Sequence, residues 1–189
     1  MILESQLSWK KKLPMMATTS RILISPIIFA VLLINTTGAA WLAAFLFILG
    51  SITDWLDGYW ARKYDAQTVM GQFMDPIADK ILVLSVLIIL VHFRRIDPVS
   101  PAILLARDIF IGGIRSVAAA SNVIIAAQPT GKWKAALQMC AIPCLFIDLS
   151  WQGIELHQIG VVGLWMSVIL SLISGAEYTL GYFRGVKQA

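Results

Sequence analysis

Asp54, Asp57, Asp75 and Asp79 are four acidic residues in a chain so apolar that each one calls for an explanation. Positions 54, 57, 58 and 61 follow the i, i+3, i+4, i+7 rule, so on a helix Asp54, Asp57, Gly58 and Ala61 share one stripe while Trp55, Tyr59 and Trp60 point elsewhere. Gly71, Asp75 and Asp79 recur every fourth residue and make a second stripe. Carboxylates at the edge of an apolar bundle repel one another unless they are paired, hydrated or bound to a cation. Hard oxygen donors with no His or Cys nearby suit Mg²⁺ or Mn²⁺ rather than zinc, and Mg²⁺ commonly couples a few carboxylates to a substrate phosphate. Gly58, Ala61 and Gly71 carry almost no side chain and leave room for a bulky group beside the metals.

Each of these residues also has an ordinary structural reading. Asp75 precedes Pro76 and suits a helix N-cap with proline at the first helical position. Asp54 and Asp57 are within reach of an interfacial ion pair with Arg62, and the small residues suit close helix packing. Taken together, however, they spell Asp-x2-Asp-Gly-x2-Ala-Arg-x8-Gly-x3-Asp-x3-Asp in one window. At average residue frequencies, chance agreement at a given start is on the order of 10⁻¹⁰.

The elements that position these stripes follow from composition. Of 189 residues, 58% are apolar and 14% charged, against about 25% charged in soluble domains, which excludes a water-soluble globule. Apolar stretches fall at 22–34, 39–52, 74–91, 101–127, 134–149 and 159–183. A span takes about 20 residues, so the chain has room for six transmembrane helices and no second domain. Breaks are expected at 35–38, 63–70, 94–100, 128–131 and 150–158, where turn formers and polar residues collect. The second stretch runs into Asp54 without a helix breaker, so its helix is expected to continue past the apolar part, through Arg62. The expectation is an all-α, polytopic membrane protein: residues 1–12 form an amphipathic segment in the headgroup region, and 13–185 form the six-helix domain.

Six crossings from a cytoplasmic N-terminus put Lys10, Lys11, Lys12, Arg62, Lys63, Lys132, Lys134, Arg184 and Lys187 on one side and only Arg94 and Arg95 on the other. The positive-inside rule then places both termini and the aspartates at the cytoplasmic face of the cell's inner membrane. The first span resembles a secretory signal, with Lys10 to Lys12 ahead of it and small residues behind, but five further spans make it a retained anchor. The basic residues are scattered singly, which argues against a nucleic-acid partner despite an isoelectric point near 9.2. Cys140 and Cys144, one turn apart in an apolar run, read as packing residues.

The aspartate string resembles the signature of the CDP-alcohol phosphotransferase family, and every defining position is met. The resemblance implies six transmembrane helices, a dimeric state and a cytoplasm-facing pocket at the membrane edge. It also implies that Asp54, Asp57 and Asp75 hold two divalent cations, that Asp79 helps bind them and acts as general base, and that Gly58, Ala61, Arg62 and Gly71 line a CDP site. Nothing in composition or spacing reveals the nucleotide.

Further matches cover roughly residues 14–185. Thr18-x2-Arg21-x4-Pro26 is similar to the Leu-Thr-x2-Arg-x4-Pro opening of the family's phosphatidylglycerophosphate synthases, with Ala17 in place of leucine. Arg107-Asp108 with Gly113-Ile114-Arg115 resembles their Arg-Glu-Ile and Gly-Leu-Arg segments, and residues 131–139 resemble their Gly-Lys-Trp-Lys-Thr-Ala-x-Gln-Met. Asp108 for Glu and Ala135 for Thr are departures. Arg107, Ile111 and Arg115 share a helix face inside an apolar span, where an unpaired Arg is expensive, and Lys132 and Lys134 follow at its cytoplasmic end. An anionic acceptor phosphate would satisfy Arg107, Arg115, Lys132 and Lys134; a partner such as Asp108 for Arg107, or topology for the lysines, would also do so.

The implied reaction is phosphatidyl transfer from CDP-diacylglycerol to glycerol 3-phosphate, with membrane lipids as surroundings and CMP as leaving group. No Ser, Cys or His has activated-nucleophile spacing, which favours direct displacement. One alternative is a related transferase using inositol phosphate, serine, choline or phosphatidylglycerol as acceptor. A more distant one is a divalent-cation channel or carrier with an aspartate selectivity site.

Overall fold

In a computed structural model, residues 22–63, 69–121, 129–151 and 154–188 are described; the side chains at 54–63, 69–79 and Lys132 lie outside that description, as does the amphipathic segment expected at 1–12. Six helices account for nearly all of these residues: α1 (Ile22–Leu33), α2 (Thr37–Lys63), α3 (Val69–His92), α4 (Val99–Ala120), α5 (Pro129–Phe146) and α6 (Leu156–Gln188). The chain packs as two compact units divided between Phe93 and Arg94.

In the first unit, α1 closes at Asn35, whose φ of 50° is one that Asn tolerates better than most residues. Its amide donates to Leu32 O at 3.1 Å. Thr36 then starts α2: its hydroxyl accepts from Ala39 N at 3.3 Å and its carbonyl from Ala40 N at 2.9 Å. As expected, α2 runs unbroken beyond its apolar part to Lys63. The α3 helix starts at Val69, more than a turn before Asp75, so Asp75 is not an N-cap and Pro76 is not at the first helical position.

In the second unit, Asp97 caps α4, accepting from Val99 N and Ser100 N at 2.8 and 2.9 Å. Of the break expected at 128–131, residues 129–131 instead form the first turn of α5, because Pro129 occupies a first-turn position where its missing amide costs nothing, and residue 128 lies outside the described residues. Leu145 lies against Gly160 and Ala141 against Gly163, while at the other end Thr130 bonds Glu177, so α5 and α6 run antiparallel. A Cβ at Gly163 would stand 2.9 Å from that of Ala141, so only glycine permits this approach. Arg107 reaches Ser171 and Arg115 reaches Tyr178, so α4 runs parallel to α6. Between α5 and α6 the expected loop contains a short antiparallel pairing, Ser150 with Glu155 and Trp151 with Ile154, prolonged by Leu156 N to Leu149 O at 2.8 Å.

The faces of α6 are inverted relative to a soluble helix. Gly160, Leu164, Ser167, Val168, Ser171, Ser174 and Gly175 are buried, while Ile159, Val162, Met166, Ile169, Leu172, Ile173, Leu180 and Phe183 are exposed. Small and polar residues, together with Leu164 and Val168, face neighbouring helices and most of the large apolar ones face outward, a pattern seen in helices packed in lipid. Among the described residues, Leu156–Arg184 is the segment long and apolar enough to cross a membrane, with a mean hydropathy of 2.0. On α5 the inner stripe is Lys134, Gln138, Ala141 and Leu145; Cys140 lies off it and is exposed, so it is not the packing residue expected from its apolar surroundings.

Candidate active site

Helix register places the aspartates. Asp54, Asp57, Gly58 and Ala61 occupy one face in the last turns of α2, with Arg62 following, and Gly71, Asp75 and Asp79 occupy one face in the first half of α3. The residues expected from sequence to serve metal and CDP therefore lie on α2 and α3, and their side-chain geometry lies outside the described residues.

The basic residues resolve into distinct arrangements. Asp108 gathers two of them: its Oδ1 accepts from Lys134 Nζ at 2.6 Å and from Arg107 Nη1 at 3.0 Å. Side-chain exposure is 7% for Lys134, 15% for Arg107 and 21% for Asp108, so the trio is largely removed from water. Arg107 continues to α6, where Nε donates to Ser171 O at 2.8 Å and Nη2 to Ser174 Oγ. Gly175 leaves room for this contact: a Cβ there would lie 3.2 Å from Arg107 Nε, and the guanidinium would have to shift by a few tenths of an ångström. Consecutive helix residues diverge by 100°, which is why Arg107 turns to α6 while Asp108 turns to α5.

Arg115 is exposed two turns further along the same face of α4, with its guanidinium carbon 5.2 Å from the Tyr178 ring centroid. Near it along α6, Glu177 accepts from Thr130 Oγ1 at 2.7 Å. Of the four basic residues expected to meet an acceptor phosphate, Arg107 and Lys134 therefore meet on one carboxylate, Arg115 lies on an aromatic ring, and the Lys132 side chain is outside the described residues. Sequence reasoning did not single out Ser171, Ser174, Gly175, Glu177 or Tyr178. The spacing of Ser167, Ser171 and Ser174 was the available signal, since it marks a polar stripe on an otherwise apolar helix.

At the opposite end of this unit a second Arg–Asp pair is exposed. Arg95 Nη2 bonds Asp148 Oδ2 at 2.6 Å, and its Nη1 donates to Phe146 O at 2.8 Å. It thereby caps α5, where a cation is favoured by the unpaired carbonyls. His157 Nδ1 lies 3.4 Å from Leu145 O at the same end.

A sequence profile of CDP-alcohol phosphatidyltransferases matches residues 11–173, most of the chain and all four aspartates. The chain belongs to the CDP-alcohol phosphatidyltransferase family. Among similar family members, the CDP-diacylglycerol–glycerol-3-phosphate 3-phosphatidyltransferase of Rickettsia typhi is 38% identical over 169 residues, 89% of this chain and 95% of the relative. The Bacillus subtilis protein of that name is 38% identical over 136 residues, 71% of this chain and 70% of its own. The one from Haemophilus influenzae is 30% identical, covering 89% of this chain and 92% of the relative.

Proposed function

We propose that the chain transfers a phosphatidyl group from CDP-diacylglycerol to glycerol 3-phosphate, releasing CMP and leaving phosphatidylglycerophosphate in the bilayer. The observation that carries this reading is the 38% identity to a phosphatidyltransferase of that name over 89% of the chain. The complete aspartate string and the match at 131–139 are the local features that agree with it.

The setting is a membrane. Helices of 27, 24, 22 and 33 residues reach about 30 Å or more at 1.5 Å per residue, enough to cross a hydrocarbon core, and α5 with 18 comes close. We read all six helices as spans and both termini as cytoplasmic. Two copies would form the active dimer. The charges in α4 are compatible with a span because Arg107 and Asp108 neutralise each other and reach Lys134 and α6 inside the unit.

In this scheme Asp54, Asp57 and Asp75, helped by Asp79, would hold two Mg²⁺ or Mn²⁺ ions. The ions would offset the charge of the pyrophosphate and of the departing CMP. Gly58, Ala61 and Gly71 keep the helix faces open for the cytidine nucleotide, and Arg62 supplies a cation beside it. Asp79 takes the proton from the free primary hydroxyl of glycerol 3-phosphate as its oxygen bonds to the phosphorus that carries diacylglycerol. The bond from that phosphorus to the CMP oxygen breaks. Arg115, Lys132 and Lys134 receive the acceptor phosphate, whereas Arg107 acts as framework because α6 and Asp108 engage its guanidinium.

Chelation tests the metal part of the proposal. EDTA should silence CMP release from purified protein, and Mg²⁺ or Mn²⁺ should restore it. Asp54→Asn, Asp57→Asn and Asp75→Asn should each abolish turnover. Activity that persists in chelator, or in any two of the variants, would overturn the two-metal scheme.

A further inference from the structure

We propose that Tyr178 is a positioning residue for the acceptor site: its ring holds the Arg115 guanidinium in place while leaving that group's charge uncompensated for a phosphate monoester. This rests on the reading of the protein as a transferase in which Arg115 receives the acceptor phosphate. Three arginines of the second unit show the contrast. Arg95 bonds Asp148 and Arg107 bonds Asp108, so each has a carboxylate beside it. Arg115 meets no carboxylate among the described residues; its guanidinium carbon lies over the Tyr178 ring, 5.2 Å from the centroid.

Helix register brings the ring there. Ser171, Ser174, Gly175 and Tyr178 follow the i, i+3, i+4, i+7 rule and share one face of α6. Arg107 Nε donates to Ser171 O at 2.8 Å, and about two turns further along both helices Arg115 stands over Tyr178. Arg115 is exposed while Tyr178 is half-buried, so the ring is the fixed member of the pair. An aromatic face attracts a cation through its quadrupole and cancels none of its charge. The guanidinium therefore keeps the planar fork of N–H donors that grips two phosphate oxygens at once. Glu177, the carboxylate adjacent to Tyr178 in sequence, is engaged elsewhere: its Oε2 accepts from Thr130 Oγ1 at 2.7 Å. Ordering a long exposed side chain has an entropic cost on binding, and the ring offsets part of it in advance.

The test is a matched pair of KM values on detergent-purified full-length protein, in neutral detergent with and without phosphatidylglycerol. Tyr178→Leu and Tyr178→Met remove the ring but keep apolar bulk. Each should raise the KM for glycerol 3-phosphate roughly 3 to 30-fold and leave that for CDP-diacylglycerol within about twofold. Tyr178→Phe should recover most of the loss, because the ring face returns. In Arg115→Gln/Tyr178→Leu the glycerol 3-phosphate KM should be no worse than in Arg115→Gln alone, as expected of residues that act as one unit.

Either ring-free variant decides if the other does not fold. An unchanged glycerol 3-phosphate KM in a folded ring-free variant would overturn the proposal, as would equal increases for both substrates or fully additive losses. A loss in Tyr178→Phe as large as in Tyr178→Leu would assign the effect to the hydroxyl and overturn the role of the ring. An effect confined to micelles containing phosphatidylglycerol would give Arg115 to a lipid headgroup, and would overturn it too. A wild type that releases no CMP in response to glycerol 3-phosphate is a different outcome, because it would remove the transferase reading itself.

Discussion

Two Arg–Asp pairs in the second unit use the same chemistry to different ends. Arg95 and Asp148 meet at 2.6 Å with Arg95 23% and Asp148 70% exposed, and Arg95 also caps the carbonyls of α5. Arg107 and Asp108 meet at 3.0 Å in mostly buried surroundings, and they draw in Lys134, Ser171 and Ser174 from two other helices. Water screens the first pair, so it contributes little beyond ending a helix. The second has lost much of that screening, and each member is held in place by the cost of depriving a largely buried charge of an opposite charge. Proximity of opposite charges therefore says little about importance; burial and the number of helices joined say more.

The comparison predicts a graded set of effects. Asp108→Ala should destabilise the protein by about 3 to 5 kcal/mol, because it leaves Arg107 and Lys134 buried without their shared acceptor. Thermal unfolding in detergent would show it, and a shift no larger than that of an exposed variant would erase the distinction between the pairs. Gly163→Ala comes next: it tests the α5–α6 approach that brings Lys134 to its partner, and overpacking there should cost about 1 to 3 kcal/mol. Wild-type stability in that variant would mean that α5 and α6 can separate freely. Asp148→Ala should cost about 0 to 1 kcal/mol, since Arg95 keeps its bonds to the α5 carbonyls. A loss as large as that of Asp108→Ala would break the comparison from the other side.

How much of this was legible beforehand depended on whether the information was local. The aspartate faces were readable because i, i+3 and i+4 spacings are fixed by the helix itself, and nothing between Ile52 and Arg62 offered α2 a place to stop. The start of α5 was misread because proline at a first-turn position looks, in sequence, the same as proline that ends a helix. Cys140 was misplaced for a related reason: an apolar run does not say which face looks inward when lipid accepts the other. The partnership of Arg107 with Asp108 was foreseeable from adjacency. Lys134 on the same carboxylate was not, because it depends on how α4 and α5 pack, as does the use of Ser171, Ser174 and Gly175 to receive Arg107.

The account stands or falls on the reaction. The most direct measurement incubates purified protein with radiolabelled CDP-diacylglycerol and a divalent cation, offers glycerol 3-phosphate, glycerol, inositol phosphate or serine in separate reactions, and identifies the lipid product. The account predicts phosphatidylglycerophosphate with one CMP released per product, and turnover with glycerol 3-phosphate far above that with uncharged glycerol. Equal turnover of glycerol and glycerol 3-phosphate would contradict the acceptor-phosphate site. Preferential use of inositol phosphate or serine would contradict the assigned acceptor, and a protein that moves divalent cations without releasing CMP would contradict the transferase itself.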